Sequence, residues 1–195
     1  MDIDFRFEPA TAGRRGDFEM LFGPRGAFYD CWCVAMHLPH ALRAKMPPEE
    51  RKAHIHERIT AGPPPGIPAC AGGEPVAWVQ VGPCRDVPQF NSPRTVSRPL
   101  DEADEQNPSI WAVSFFFPAP RLRGKGLSHR LLGGAVDRAR RQGARLIDAC
   151  PIDHVKQSKS VTLCIGPTAI FDAAGFETVA RRKDGRPLMR LDLRS

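Results

Sequence analysis

The chain has 195 residues and a formal net charge of +6; 42% of its residues are hydrophobic and 26% are charged. This balance is typical of a folded globular protein and excludes a disordered chain. No apolar run approaches the roughly 18 residues that span a bilayer, and the alternating, acidic N-terminus differs from a secretory signal. The sequence therefore predicts a cytoplasmic protein that does not enter a membrane, with a single domain over residues 1–195.

The first half of the chain predicts strands and a helix around a long connection. Apolar and polar residues alternate in the predicted strands, prolines mark the helix start, and a glycine pair separates the strands of the hairpin. The predicted elements are a strand at 2–8, an apolar stretch of ambiguous type at 28–36, a helix from Pro47 to about residue 60, a hairpin of strands 67–71 and 75–81, and a largely irregular connection at 82–108 that holds five prolines.

The second half has the clearest pattern. Residues 110–117 form a nearly continuous apolar run, which is typical of a central strand buried on both faces. A basic glycine loop at 121–126 follows, and apolar residues then recur at helical spacing until Gly143. The remaining predicted elements are a strand at 145–150, a helix at 167–174 and strands at 176–181 and 188–193. Together these elements predict one mixed α/β domain.

Positive charge is concentrated around the glycine loop. Residues 121–145 hold eight Lys or Arg against one acid, Asp137. Such a concentration suits a phosphorylated small ligand or a nucleic acid, although a solvated basic helix face would show the same charge. Aromatic residues are absent from this stretch and it matches no known nucleic-acid-binding motif, so a nucleic-acid-binding protein is kept only as an alternative.

The strand, glycine loop and helix at 110–142 can bind a diphosphate. Glycines leave backbone N–H groups uncovered, and the start of a helix adds partial positive charge. The loop is not a Walker A motif, and it lacks the three-glycine dinucleotide fingerprint. Taken alone, a short Gly-Lys-Gly turn also fits a purely structural turn that binds no ligand.

The stretch from Phe117 to Leu132 resembles the acetyl-CoA signature of the GNAT acyltransferase superfamily, a Gln/Arg-x-x-Gly-x-Gly/Ala turn after a strand. The register Arg123-x-x-Gly126-x-Ser128 is preferred, because it places Pro120 where the family often has a proline. The resemblance extends to the hairpin at 71–79 and the late helix at 170–177. The Cys31-Trp32-Cys33 segment resembles an uncharacterised subgroup of these enzymes.

This resemblance implies a mixed, mostly antiparallel sheet with helices on both faces and a splayed central strand at the CoA site. It implies an N-acetyltransferase that uses acetyl-CoA as acyl donor and modifies a primary amine of a small molecule, peptide or protein. A homodimer is compatible with it. The alternatives are a CoA-binding protein of this fold without turnover and the basic nucleic-acid-binding protein.

The resemblance also implies the cofactor site. The pantetheine arm would lie along Phe116, Phe117 and Pro118, and Pro118 departs from the pattern because it has no N–H to donate. The diphosphate would be held by Arg123, Gly124, Lys125, Gly126, Leu127, Ser128 and His129. Phe171 stands where many members have a tyrosine that protonates the departing thiolate, so the general acid is missing at that position.

In this fold, Asp148 on the strand after the glycine helix could accept a proton from the incoming ammonium, directly or through water. Its alternative role is an acid hydrogen-bonded at a strand end. His154 and Asp153 are the second candidates, and a histidine titrates near neutral pH. The acceptor pocket would be built from residues 20–60 and 82–108.

The six cysteines are predicted to be reduced thiols, because the chain is large enough to need no disulfides. Cys31 and Cys33, with His37 and His40 nearby, superficially suggest a metal site. Structural zinc sites usually separate paired cysteines by two to four residues, and here the spacer is one residue. The sequence therefore predicts no bound metal.

Overall fold

The computed structural model describes residues 4–123, 126–153 and 164–194. Its strands are β1 (Phe5–Phe7), β2 (Gly66–Ala71), β3 (Glu74–Pro83), β4 (Ile110–Pro118), β5 (Leu146–Ala149), β6 (Glu177–Arg181) and β7 (Pro187–Asp192). They form one seven-stranded sheet in the order β1-β2-β3-β4-β5-β7-β6. β4 and β5 are parallel, and the other neighbours are antiparallel. The predicted mixed, mostly antiparallel sheet is confirmed.

Helices connect the strands. They are α1 (Arg15–Phe22), α2 (His40–Arg43), α3 (Pro48–Ala61), α4 (Pro88–Asn91), α5 (Glu102–Gln106), α6 (Leu127–Arg141) and α7 (Thr168–Asp172). α3 begins with Pro48 followed by Glu49 and Glu50, which suit the positive end of a helix, and Gly62 ends it with a φ of 66°. Among the described residues, no helix combines the length and the apolar character needed to cross a membrane.

The helices cover both faces of the sheet, as predicted. On one face, α6 buries Leu131 and Leu132 against Val79 and Val113 of the central strands. On the other face, α1 and α3 pack around Trp78, which is fully buried. Burial of aliphatic and aromatic side chains on both sides supplies most of the free energy that holds the helices to the sheet.

The N-terminal region differs from its prediction. β1 covers residues 5–7 and not 2–8, and residues 1–3 lie outside the described part of the chain. Helix α1 was not predicted, because Gly13 and Gly16 suggested a loop. The spacing of Phe18 and Phe22, both buried, was the helical signal available in the sequence.

The prediction of a largely irregular connection at 82–108 is wrong in part. β3 continues to Pro83, and this stretch then contains a short 3-10 helix and the two helices α4 and α5. Pro88 occupies the start of α4, where its missing N–H costs nothing, so proline marks a helix start here. Val87 and Phe90 are buried against the end of the sheet that carries β5.

A β-bulge divides β4 into two halves. Val113 pairs with Val81 of β3 and Phe115 pairs with Gln80, so Ser114 is an extra residue without a cross-strand partner on β3. The extra residue reverses the alternation of the strand. Val113 therefore packs on the α6 face, whereas Phe115 contacts the cluster of α1 and α3.

Candidate active site

β4 and β5 separate where β4 passes its bulge. The parallel pairing runs from Ile110 with Leu146 to Val113 with Ala149 and then stops. Over residues 114–118, the described strands pair with β4 only on its β3 edge. This geometry confirms the predicted splayed central strand.

The open edge of β4 presents backbone groups that have no partner on a described strand. The N–H of Ala119 donates to the Val76 carbonyl at 2.9 Å, which fixes the alternation of the antiparallel ladder. By that alternation the N–H and C=O of Phe116 point away from β3, into the gap. Pro118 also faces the gap, where it offers a carbonyl and no donor. Phe117, between them, bonds to β3 instead, and its ring packs with α1.

The glycine loop leads directly into α6, although Gly124 and Lys125 lie outside the described residues. Gly126 adopts a φ of 70° immediately before the helix, a conformation that favours glycine. A Cβ added there would have nothing within 4 Å among the described atoms. Ser128 and His129 lie in the first turn of the helix and are at least partly exposed, whereas Leu127 is buried in the core. The start of α6 is therefore open and free to receive an anion.

Arg123 lies beside this helix start. Its guanidinium carbon is 5.2 Å from the ring centroid of Phe28, and the Phe28 ring packs edge-on against Phe117 at 5.4 Å. The Nε of Arg123 is buried and has no hydrogen-bond partner among the described residues. Such a donor costs free energy unless a ligand or water satisfies it. The site thus joins Arg123, the helix start and the open half of β4.

The segment that carries Phe28 has an unusual backbone. Ala27, Tyr29, Asp30, Trp32 and Cys33 all have φ between 47° and 72°. Non-glycine residues pay for this left-handed conformation, and such residues cluster at ligand sites. The buried Trp32 ring holds the segment in place by stacking near α1, at 6.2 Å from one of its phenylalanine rings.

A cavity of about 380 Å³ lies between this segment and β4. Its walls come from the N-terminal segment, from α2 and α3, from β4 and from residues 164–165. The lining residues are Phe28, Tyr29, Cys31, Ala35, Met36, Arg43, Arg51, Phe115, Cys164 and Ile165. Phe115, the β4 residue of this lining, belongs to the open half of the strand. The expected contribution of residues 20–60 to a pocket fits this cavity, whereas none of its lining residues comes from 82–108.

Asp148 lies elsewhere. Its carboxylate is 1% exposed and accepts two hydrogen bonds from Arg190, from Nε at 2.7 Å and from Nη2 at 2.9 Å. Arg190 Nη2 also donates to Asp104 at 3.0 Å. Burial raises the pKa of Asp148, and the hydrogen bonds from Arg190 act in the opposite direction. Asp148 does not line the cavity, and both of its oxygens are already engaged.

Of the other proton-transfer candidates, Asp153 does not line the cavity. His154 lies outside the described residues. Asp153 forms an ion pair with Arg181 at 2.7 Å. Within the lining that the structure describes, no side chain is a carboxylate or an imidazole.

Phe171 is completely buried, as befits a core residue. Its ring centroid lies 6.1 Å from that of Phe116 and 5.2 Å from that of Phe176. The only tyrosine of the chain, Tyr29, lines the cavity and is 93% exposed. The fold therefore brings Tyr29 nearer to the open edge than its position in the sequence suggested.

Several basic residues of the 121–145 stretch bind within the protein itself. The guanidinium of Arg130 stacks 4.6 Å from the Phe5 ring. Arg138 is buried, and it donates to the Pro64 carbonyl at 3.3 Å. Arg140 pairs with Asp137 at 3.7 Å. These three arginines of α6 therefore contact separate groups of the protein itself.

His37, one of the residues that suggested a metal site, belongs to a hydrogen-bonded part of the core. His37 Nδ1 lies 2.9 Å from the Asp86 carbonyl, and its Nε2 lies 2.7 Å from Gln80 Nε2, so the ring donates to the former and accepts from the latter. Burial lowers the pKa of His37 to about 4. All six cysteines are free thiols. In the described parts of the chain, no group of three or more His, Cys, Asp or Glu could hold a metal ion.

Comparisons with known proteins agree with this geometry. A model of the acetyltransferase (GNAT) family matches residues 34–160. A search of curated proteins finds no match.

Solved structures share the fold at low sequence identity. YncA from Salmonella typhimurium, solved with its cofactor acetyl-CoA, is 17% identical over 97% of this chain and 94% of that chain, with a TM-score of 0.53. An N-acetyltransferase from Staphylococcus aureus Mu50 is 13% identical over 97% and 99%, with a TM-score of 0.54. The PaiA N-acetyltransferase from Thermoplasma acidophilum, in complex with coenzyme A, is 10% identical over 97% and 99%, with a TM-score of 0.52.

Proposed function

Because this chain belongs to the GNAT acetyltransferase family, we propose that it transfers an acetyl group from acetyl-CoA to a primary amine. The observation that carries the proposal is the open half of β4, where the backbone groups of Phe116 point away from β3 and have no partner on a described strand. We also propose that the 195 residues form a single domain, which contains both the acetyl-CoA site and the cavity.

The residues around the glycine loop fit the diphosphate of acetyl-CoA. Arg123 has a buried Nε without a described partner, and the helix start at Gly126 opens onto space that a Cβ would not fill. Arg123 and the amides of residues 126–128 would bind the diphosphate, with Gly124, Lys125 and the exposed side chain of His129 adding to them. Acetyl-CoA, when bound, supplies the acyl group as a thioester.

The open half of β4 would position the acyl donor. The N–H of Phe116 faces the gap and can donate to an oxygen on which negative charge develops during acyl transfer. The carbonyls of Phe116 and Pro118 can accept hydrogen bonds from an extended amide-containing arm. A cavity beside this edge allows the amine to approach while its apolar walls exclude water.

The amine must lose a proton before or during attack. We propose Asp148 as the acceptor of this proton, through water because Asp148 does not line the cavity, with His154 as the second candidate. The burial that raises the pKa of Asp148 supports the first assignment, because a carboxylate of raised pKa is a stronger base. Since Arg190 occupies both oxygens, proton uptake requires a hydrogen bond from Arg190 to lengthen or break.

Titration calorimetry with acetyl-CoA, followed by turnover assays against a panel of amines, tests the proposal. We expect binding of one acetyl-CoA per chain and release of CoA that depends on the amine. Absence of binding would refute the proposal at its first step. Binding without turnover of any amine would favour a CoA-binding protein of this fold, an alternative that Phe171 supports because it offers no proton to a departing thiolate.

A further inference from the structure

The cavity beside β4 combines apolar walls with unusual charge. Phe28, Met36, Phe115 and Ile165 contribute hydrocarbon surface. Its charged lining residues are two arginines, one from α2 and one from α3, and no acidic residue belongs to the described lining. At about 380 Å³ the cavity lies within the size range of small-molecule pockets. Its chemistry therefore restricts which amine can enter.

Arg51 is held in a fixed orientation by the strained segment. Its Nη1 donates to the carbonyl oxygens of Tyr29 at 3.2 Å and Asp30 at 3.3 Å. Its Nε is buried and has no partner among the described residues. These bonds leave part of the guanidinium fork available, and a fork fixed in this way suits a planar anion.

Arg43 provides the second positive charge. It is half-buried, and among the described residues no carboxylate lies within ion-pair distance of it. Neighbouring cations behave differently, because Lys52 pairs with Glu19 at 2.7 Å and Arg58 pairs with Asp86 at 3.5 Å. Carboxylates thus neutralise these neighbouring cations, whereas Arg43 and Arg51 in the cavity lining have no described carboxylate partner.

We propose that the acetyl acceptor is a small primary amine that also carries a carboxylate and an apolar body, as an apolar α-amino acid does. This inference rests on the proposed acetyl transfer and adds the class of acceptor. Arg43 and Arg51 bind the carboxylate, and the apolar walls receive the side chain. Polyamines are excluded, because the described cavity lining holds two arginines and no carboxylate, and the arginines would repel further positive charge.

Matched acceptors test the charge directly. Phenylalanine and phenethylamine differ only in the carboxylate, and spermidine represents the excluded class. We expect kcat/KM for phenylalanine to exceed that for phenethylamine by at least about tenfold, the scale of one charged hydrogen bond. Arg43→Gln should lower kcat/KM for phenylalanine and so reduce this preference. Arg94→Gln, an exposed arginine outside the cavity lining, is the control and should keep the preference.

Calorimetry of phenylalanine binding in the presence of CoA separates this inference from the proposed function. Binding that Arg43→Gln weakens by about tenfold supports a carboxylate-binding pocket even if no amine is acetylated. A lack of acetylation would refute the proposed function and, with it, the role of the bound amine as acetyl acceptor. Failure of phenylalanine to bind would overturn the inference, as would faster turnover of phenethylamine or spermidine. An unchanged preference in Arg43→Gln would overturn it as well.

Discussion

Residues 111–113 of β4 have strand partners on both edges, whereas residues 115–118 have a described strand partner only on the β3 edge. The first half is a core strand, and Ile110 is completely buried in it. The second half, residues 114–118, has no described strand partner on its other edge. Because buried backbone groups without partners cost free energy, a ligand that pairs with this half would stabilise it.

A single extra residue creates the difference. Ser114 reverses the alternation, so Phe116 faces the α6 side while Phe115 reaches the cavity on the other side. The side-chain oxygen of Ser114 is buried without a described partner, which is consistent with a bulge that disturbs local pairing. One strand therefore serves both stability and binding, and substitutions should separate the two roles.

The largest expected effect is on acetyl-CoA binding, a role that the start of α6 is proposed to share with the open half of β4. Gly126→Glu should abolish acetyl-CoA binding, because the side chain enters the space at the start of α6 with a negative charge and a strained φ. Gly143→Glu is the matched control, since Gly143 has a φ of 77° with open space around it, beyond the far end of α6. Calorimetry that finds normal affinity in Gly126→Glu would place the diphosphate elsewhere.

The paired half should respond through stability. Ile110→Ala should lower the free energy of unfolding by about 2–5 kcal/mol, the usual cost of removing a buried aliphatic side chain. Acetyl-CoA affinity of the folded variant should stay unchanged. Leu100→Ala, at a side chain that is 46% exposed, is the control for denaturant unfolding. A weakened affinity in Ile110→Ala would mean that the two halves are coupled.

Asp148 lies on β5 opposite Ala112, in the paired half, although its proposed role is chemical. Asp148→Asn should lower kcat at pH 7 by about 100-fold or more and leave acetyl-CoA affinity nearly intact. Asp104→Asn is the control, because it also removes a partner of Arg190. Equal losses of kcat and stability in both variants would assign Asp148 a structural role and move proton transfer to His154, Asp153 or water.

The free energy of unfolding should depend on pH through His37, which contacts β3 beside the open half of β4. His37 bonds to Gln80, the partner of Phe115 at the bulge, and burial lowers its pKa to about 4. The unfolded chain, with a pKa near 6.5, binds more protons as pH falls, so stability decreases. Between pH 7 and pH 5 this group should cost roughly 2 kcal/mol of unfolding free energy. Urea unfolding at both pH values should show that loss and show less of it in His37→Gln.

The sequence could predict the central strand and the helix after the glycine loop because both are encoded locally. The apolar run at 110–117 and the helical stripe after Gly126 fixed the central strand and α6 within two residues of their ends. The bulge at Ser114 could not be predicted, since it depends on how β4 registers against β3.

The acceptor end depends on contacts between distant parts of the chain. Arg43 and Arg51 carry no local motif, and Cys164 reaches the same cavity from more than a hundred residues away in the sequence. The left-handed segment around Trp32 was ambiguous because tertiary packing, and not local propensity, sets its backbone. Asp148 was identified by position, whereas its bonds to Arg190 required the structure.

The two outer strands of the sheet have a consequence for self-association. β1 pairs over only three residues, and β6 is mostly exposed, with Glu177 and Arg181 at its two ends. A further strand added to either edge would gain few hydrogen bonds, and at β6 it would meet charge at both ends. Edge-to-edge aggregation into extended sheets is therefore disfavoured, even though the centre of the sheet is strongly hydrophobic.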